Sequence, residues 1–106
     1  KLFDARDLLS QSLDGPPTIS SLSKIVGLNE YKLKKGFKEL FDTTIFGFIH
    51  QHRMQKAKRL LLDTTKSAKE IAYETGYSSP QHFSRAFKKE FNTTPNRMRN
   101  TPDNAI

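Results

Sequence analysis

Two stretches of the sequence concentrate polar side chains whose chemistry suits nucleic acid. Arginine and lysine can donate hydrogen bonds to guanine, glutamine can pair with adenine, and an aromatic ring can meet a thymine methyl group. The side chains that could read base edges in this way are Tyr31, Lys34 and Lys35 in the first stretch and Gln81, His82 and Arg85 in the second. Those that could hold phosphate groups are Asn29, Lys32, Lys38, Ser79, Lys88 and Lys89. For any single lysine, a solvated helix face explains the residue equally well.

Other kinds of chemistry find no support in the residues. The chain has no cysteine, so it offers neither a thiolate ligand nor a thiol nucleophile. His50 and His52 point to different sides of a helix, and no nearby carboxylate completes a tetrahedral metal site. His82 and Ser84 lack the nucleophile elbow of a serine hydrolase, and no glycine-rich phosphate loop occurs. We therefore expect no catalysis, no bound metal and no cofactor.

An internal repeat defines the elements that position the polar side chains. The segment from Leu22 to Thr44 aligns with the segment from Ile71 to Thr94, at an offset of 49 up to the glycine and 50 beyond it. The aligned landmarks are Gly27 and Gly76, Leu33 and Phe83, Phe37 and Phe87, and Phe41 and Phe91. Apolar residues at spacings of three and four follow each glycine, which predicts one buried stripe on a helix. Each copy therefore reads as a short helix, a glycine turn and a longer helix.

Capping residues mark where these helices begin and end. The expected N-caps are Thr18, Asn29, Ser67 and Ser79. Ser67 forms a Ser-x-x-Glu capping box with Glu70, and Pro80 stands at a favoured first helical position. Gly27 and Gly76 are expected to take the left-handed conformation in which a helix ends.

Three more segments complete a prediction of seven helices and no strand. Residues 1–13 form the first helix, residues 44–63 form a central one, and the last starts after Thr94. The predicted fold class is all-α, with two homeodomain-like helix-turn-helix units, residues 1–43 and 64–106, joined by the linker helix. Within that linker, Arg53 is expected to form an ion pair inside the fold rather than to hold a phosphate.

Net charge and hydropathy restrict the kinds of partner that the chain can bind. The net charge of +7 and the pI near 9.8 predict attraction to a polyanion, either nucleic acid or an acidic membrane surface. No apolar run exceeds five residues, which excludes a membrane-spanning helix and a secretory signal, so we expect a soluble, cytoplasmic protein that is not bound to a membrane. The first residue is lysine rather than methionine, which suggests a piece of a longer chain.

The favoured hypothesis is double-stranded DNA binding by two helix-turn-helix units. A linker of some 18 residues spans about 27 Å, close to the separation of about 34 Å between successive major grooves on one side of a duplex. One chain could then read two adjacent grooves. Two alternatives stay open: a basic helical adaptor that binds an acidic protein or RNA, and a fragment of an all-helical enzyme.

The chain resembles the DNA-binding domain of the AraC/XylS family of bacterial transcription regulators. The family motif is carried by Ile71-Ala72, Gly76-Tyr77-Ser78, the run from Gln81 to Lys89, Phe91, Thr94-Pro95 and Met98-Arg99. The linker fits through Phe48-Ile49, Arg53, Ala57 and Leu60-Leu61, and the resemblance covers about residues 5 to 100. Departures from the family pattern are Ser23 in place of alanine, Asp42 and Asn92 in place of glycine, and Met98 in place of an aromatic residue.

The resemblance implies both a fold and a function. It implies a seven-helix domain that binds promoter DNA, more often as an activator than as a repressor, with RNA polymerase as a partner. The family's base-reading positions fall on the same six residues that the polar stretches suggest. An effector-binding or dimerisation domain would precede Lys1. The segments 32–37 and 46–48 are also similar to regulators of siderophore uptake within the family.

Overall fold

A computed structural model describes residues 1–101, which contain seven α-helices and no β-strand. The helices are α1 (Leu2–Gln11), α2 (Ile19–Val26), α3 (Glu30–Phe41), α4 (Ile45–Asp63), α5 (Ala68–Glu74), α6 (Pro80–Phe91) and α7 (Pro95–Asn100). The predicted all-α fold with two helix-turn-helix units is confirmed. The last five positions of the predicted second unit, residues 102–106, lie outside the described residues.

The predicted capping residues make the hydrogen bonds expected of them. The backbone N–H groups of Ser21, Lys32, Glu70, His82 and Arg97 donate to the side chains of Thr18, Asn29, Ser67, Ser79 and Thr94, respectively. Gly27 ends α2 at φ +75°, and Gly76 follows the end of α5 at φ +97°. Since only glycine takes this backbone region without steric cost, both turns depend on their glycines.

The longer helix of each copy ends at a residue that is not glycine but has a left-handed backbone. Asp42 ends α3 at φ +59° and Asn92 ends α6 at φ +58°. Asp and Asn tolerate this region better than other non-glycine residues because their short polar side chains can hydrogen-bond locally. The departures from the family's glycines therefore keep the same helix end in both copies.

The chain divides into two compact units, and the boundary lies between His52 and Arg53, inside α4. Large side chains of the first core include Leu9, Leu22, Leu33, Phe37 and Phe48. Those of the second core are Met54, Leu61, Ile71, Phe83 and Phe87. The first half of α4 thus supplies one core and the second half supplies the other, because apolar residues continue along the helix.

The repeat extends to the packing of individual side chains. Residues 31–45 and residues 81–95 have the same order of buried, half-buried and exposed positions. The Phe37 and Phe41 rings lie 4.7 Å apart between centroids, and the Phe87 and Phe91 rings also lie 4.7 Å apart. Helices α3 and α6 therefore expose equivalent faces of their respective units.

The capping box of α5 gives a first prediction. The Ser67 Oγ accepts from the Glu70 N–H at 3.1 Å, and a Glu70 carboxylate oxygen accepts from the Ser67 N–H at 3.1 Å. We expect Ser67→Ala to lower the free energy of unfolding by about 1 kcal/mol, measured by urea denaturation. The control is Ser84→Ala, which removes an exposed serine that caps no helix. Equal stability of the Ser67→Ala variant and the wild type would contradict this role.

The stabilisation that the capping box gives to α5 depends on pH. The hydrogen bonds that Glu70 accepts from Ser67 lower the pKa of its carboxyl, so the folded state favours the ionised form. This stabilisation is present above the pKa of the unfolded chain and is lost as the pH falls through the lowered pKa of the folded state. The unfolding free energies of the wild type and of Glu70→Gln should therefore converge in acid, because protonation of Glu70 removes the same charge that the substitution removes.

Candidate nucleic-acid interface

The polar residues of the first stretch lie on one exposed face of α3. Tyr31, Lys34, Lys35 and Lys38 occupy positions i, i+3, i+4 and i+7, which share a helix face. All four are exposed, and 69% of the Tyr31 surface is accessible. The buried stripe of α3 lies on the other side and holds the helix in its unit through fully buried Leu33 and Phe37. The face is thus rigidly supported and open to a ligand.

Helix α6 carries an equivalent face in the second unit. Gln81, Ser84, Arg85 and Lys88 have the same spacing and are all exposed. Below them, Phe83 and Phe87 are fully buried. A helix that presents an amide, a hydroxyl and a guanidinium in one row can donate to and accept from base edges.

Three predicted residues lie on the flank of these faces. With 3.6 residues per turn, Lys32 and His82 are rotated by about 100° from Tyr31 and Gln81, and Lys89 lies on the same side of α6 as His82. The His82 Nδ1 is 3.4 Å from the Ser78 Oγ in the preceding turn. His82 thus lies on the flank of α6, beside the row formed by Gln81, Ser84 and Arg85.

An N-cap residue lies at the start of each face, Asn29 before α3 and Ser79 before α6. The Asn29 side-chain oxygen accepts from the Lys32 N–H at 2.8 Å, and the Ser79 Oγ accepts from the His82 N–H at 3.2 Å. The Asn29 amide NH₂ and the Ser79 hydroxyl proton can still donate to an anion. Asn29 is exposed and Ser79 is half-buried.

Ser84 is a candidate contact that the sequence analysis did not assign. The offset of 50 pairs Tyr31 with Gln81, Lys35 with Arg85, and Lys34 with Ser84. Ser84 also lines a shallow depression together with Gln81 and Arg85. The register of the repeat was the signal that could have identified it.

The turn before α6 is anchored to the second half of α4. The Tyr77 ring packs edge-on against Phe83 at 5.6 Å, and the Arg53 guanidinium lies 5.4 Å from the Tyr77 ring centroid. Burial raises the pKa of the Tyr77 hydroxyl, and the positive charge of Arg53 opposes that rise. Arg53 thus stacks on an aromatic ring inside its unit, while its expected ion pair with a glutamate stays a prediction.

A groove of about 590 Å³ lies beside the α3 face. Its lining includes Tyr31, Lys34, Lys35 and Lys38 from α3, together with Ile19 and Phe46 from the starts of α2 and α4. Phe46 is 70% exposed, and no pattern in the sequence predicts a role for it. The groove joins an apolar wall to the row of candidate base readers.

The charges of the two faces are available to an anion. Within residues 1–101, Lys34, Lys38, Arg85 and Lys88 form no ion pair, whereas Lys66 pairs with Glu74 at 3.1 Å. In the same part of the chain, no group of three histidine, aspartate or glutamate side chains is placed to hold a metal ion. None of the seven helices has the length and apolar character needed to cross a bilayer.

Comparison with known proteins places these features in a family. The family described as "Helix-turn-helix domain" matches residues 22–101. The chain is 43% identical over 74 residues to the xylose operon regulatory protein of Escherichia coli K12, a match that covers 70% of this chain and 19% of that protein. It is 34% identical over 98 residues to the HTH-type transcriptional regulator GlxA of Rhizobium meliloti, covering 92% of this chain and 30% of that protein.

A solved structure shares the whole fold. The transcriptional regulator from Chromobacterium violaceum, described among AraC-type DNA-binding domain-containing proteins, superimposes with a TM-score of 0.84 at 29% identity. The match covers 95% of this chain and 93% of that chain. The present chain spans less than a third of the length of these two curated regulators.

Proposed function

Because the chain belongs to the AraC/XylS family of helix-turn-helix transcription regulators, we propose that it is the sequence-specific DNA-binding module of a bacterial activator. The observation that carries this proposal is the repeated face of α3 and α6, where base-reading side chains stand in equivalent rows above buried phenylalanines. A regulator needs such a row because hydrogen bonds to base edges provide sequence discrimination. The activity of the module is binding, without catalysis.

In the proposed complex, each recognition helix lies in a major groove of duplex DNA. Lys34, Lys35 and Arg85 donate to guanine O6 and N7, and Gln81 pairs with adenine. Tyr31 contacts a thymine methyl group, and His82 reads a base from the flank of α6. Ser84 joins this set as a donor or acceptor, since it stands in the row between Gln81 and Arg85.

A second group fixes the position of each helix on the DNA backbone. It comprises Asn29, Lys32 and Lys38 in the first unit and Ser79, Lys88 and Lys89 in the second. Contacts to phosphates orient a protein on the duplex without reading its sequence. The exposed, unpaired ammonium groups of Lys38 and Lys88 support this assignment.

The two units are proposed to read two adjacent major grooves, since each carries a complete recognition helix. The chain matches less than a third of the length of the two curated regulators. In the full-length regulator, a preceding domain would bind an effector or dimerise the protein. Activation would then proceed through contact with RNA polymerase on promoter DNA in the cytoplasm.

The phosphate assignment is tested by the salt dependence of binding. We expect Lys88→Ala to weaken binding to all duplexes alike and to reduce the slope of log K against log salt by about 0.9. The measurement is fluorescence anisotropy with a labelled duplex at several salt concentrations. Lys66→Ala is the matched control, because its ammonium is already paired with Glu74. A changed base preference in Lys88→Ala would show that Lys88 reads bases instead.

A further inference from the structure

The groove beside α3 has an apolar wall that the proposed base contacts leave unused. Phe46 is the most exposed large apolar side chain of the described residues, at 70% of its surface. It stands at the second position of α4 and faces the same groove as Tyr31, Lys34 and Lys35. Exposure of a phenylalanine to water is unfavourable, so a ligand that covers it gains free energy of burial.

The chemistry of the major groove identifies the group that this wall would cover. Base edges in that groove present hydrogen-bond donors and acceptors, and their one apolar group is the thymine C5-methyl. Whatever base edge approaches Lys34 and Lys35 must also approach the groove that these residues line with Phe46. Three lysines and one glutamate, Glu39, also line the groove, and their net positive charge suits the phosphates that flank any base on the same strand.

From these observations we infer that Phe46 is a specificity-determining residue that selects thymine within the site of the first unit. The inference rests on the proposed function, because it requires α3 to lie in a major groove. It extends base recognition beyond the recognition helix to the start of α4. Phe46 and Ile19 form the receptor for the methyl group, and Lys38, which also lines the groove, holds the phosphate backbone of the adjoining strand.

The test removes the methyl group without changing base pairing. Each thymine in the half-site of the first unit is replaced in turn by deoxyuridine, in a duplex selected by the protein, and affinity is measured by anisotropy. At the position that Phe46 contacts we expect a loss of about fourfold, the value for burial of one methyl-sized group. Phe46→Ala should bind the thymine duplex about fourfold more weakly and should no longer distinguish thymine from uracil there. A position that Tyr31 contacts should respond in Phe46→Ala as it does in the wild type.

The matched control is Ile25→Ala. Ile25 is a similarly exposed apolar residue of the first unit, at 64%, and it lies outside this groove. The control should retain the full thymine preference, and circular dichroism should show both variants folded. A Phe46→Ala variant that still distinguishes thymine from uracil at every position overturns the inference, as does a selected half-site without thymine.

A Lys35→Ala variant separates this failure from failure of the proposed function. If Lys35→Ala changes the preferred bases while Phe46→Ala does not, α3 reads DNA and only the inference is wrong. If neither substitution changes base preference and selection recovers no conserved first half-site, the first unit does not read bases and both proposals fail for that unit. The apolar groove would then be assigned to a protein ligand.

Discussion

Replacement of Phe87 by alanine is expected to lower the free energy of unfolding by about 3 to 5 kcal/mol. Phe87 is fully buried and lies between Phe83, at 5.7 Å, and Phe91, at 4.7 Å, measured between ring centroids. The substitution removes these contacts and leaves a cavity beneath the face of α6 that carries Gln81 and Arg85. A loss of this size is a large part of the total stability of about 5 to 15 kcal/mol typical of a domain.

Urea unfolding followed by circular dichroism measures the effect. Lys89→Ala provides the control on the same helix, because exposed substitutions usually change stability by no more than about 0.5 kcal/mol. Phe87→Leu should lose less stability than Phe87→Ala, since leucine fills more of the cavity than alanine. A Phe87→Ala variant that loses less than about 1 kcal/mol would show that the second core does not depend on this ring.

The second large effect concerns DNA recognition. We expect Arg85→Ala to weaken binding to the preferred duplex by about 1 to 3 kcal/mol and to relax preference at one base pair. Gln81→Ala should act in the same way at a different base pair, because each side chain pairs with one base edge. Affinities for duplexes that carry every substitution across the second half-site provide the measurement.

Arg85→Lys separates the charge of Arg85 from its geometry. Lysine keeps the positive charge but lacks the planar guanidinium, which can donate two hydrogen bonds at once, to guanine O6 and N7. This variant should preserve the salt dependence of binding while it loses part of the discrimination for guanine. Unchanged specificity in both Arg85→Ala and Gln81→Ala would show that the second unit does not read bases.

The sequence predicts much of this fold because its signals are local. A capping serine, a proline at the first helical position and phenylalanines spaced by four act within one or two turns of helix. These signals identified the starts of α5 and α6 and the buried positions of both recognition helices. The repeat supports each assignment with a second copy, as at the N-caps Asn29 and Ser79.

Local sequence signals do not predict features that depend on packing between helices. The groove beside α3 forms because the starts of α2 and α4 approach it, so no spacing along the sequence places Phe46 beside Lys34. The division of α4 between two cores likewise depends on which helices pack against each half of it. Ser84 is different: the register of the repeat contained the information, but a serine alone carries little chemical signal.

The most direct test of the central claim is selection of bound duplexes from a random double-stranded library at physiological salt, followed by sequencing. We predict two short conserved sequence boxes whose centres are about one helical turn, or about 10 base pairs, apart, one for each recognition helix. A single box would assign all specificity to one unit. No enrichment of any sequence, with binding instead to an acidic protein or RNA, would contradict the account.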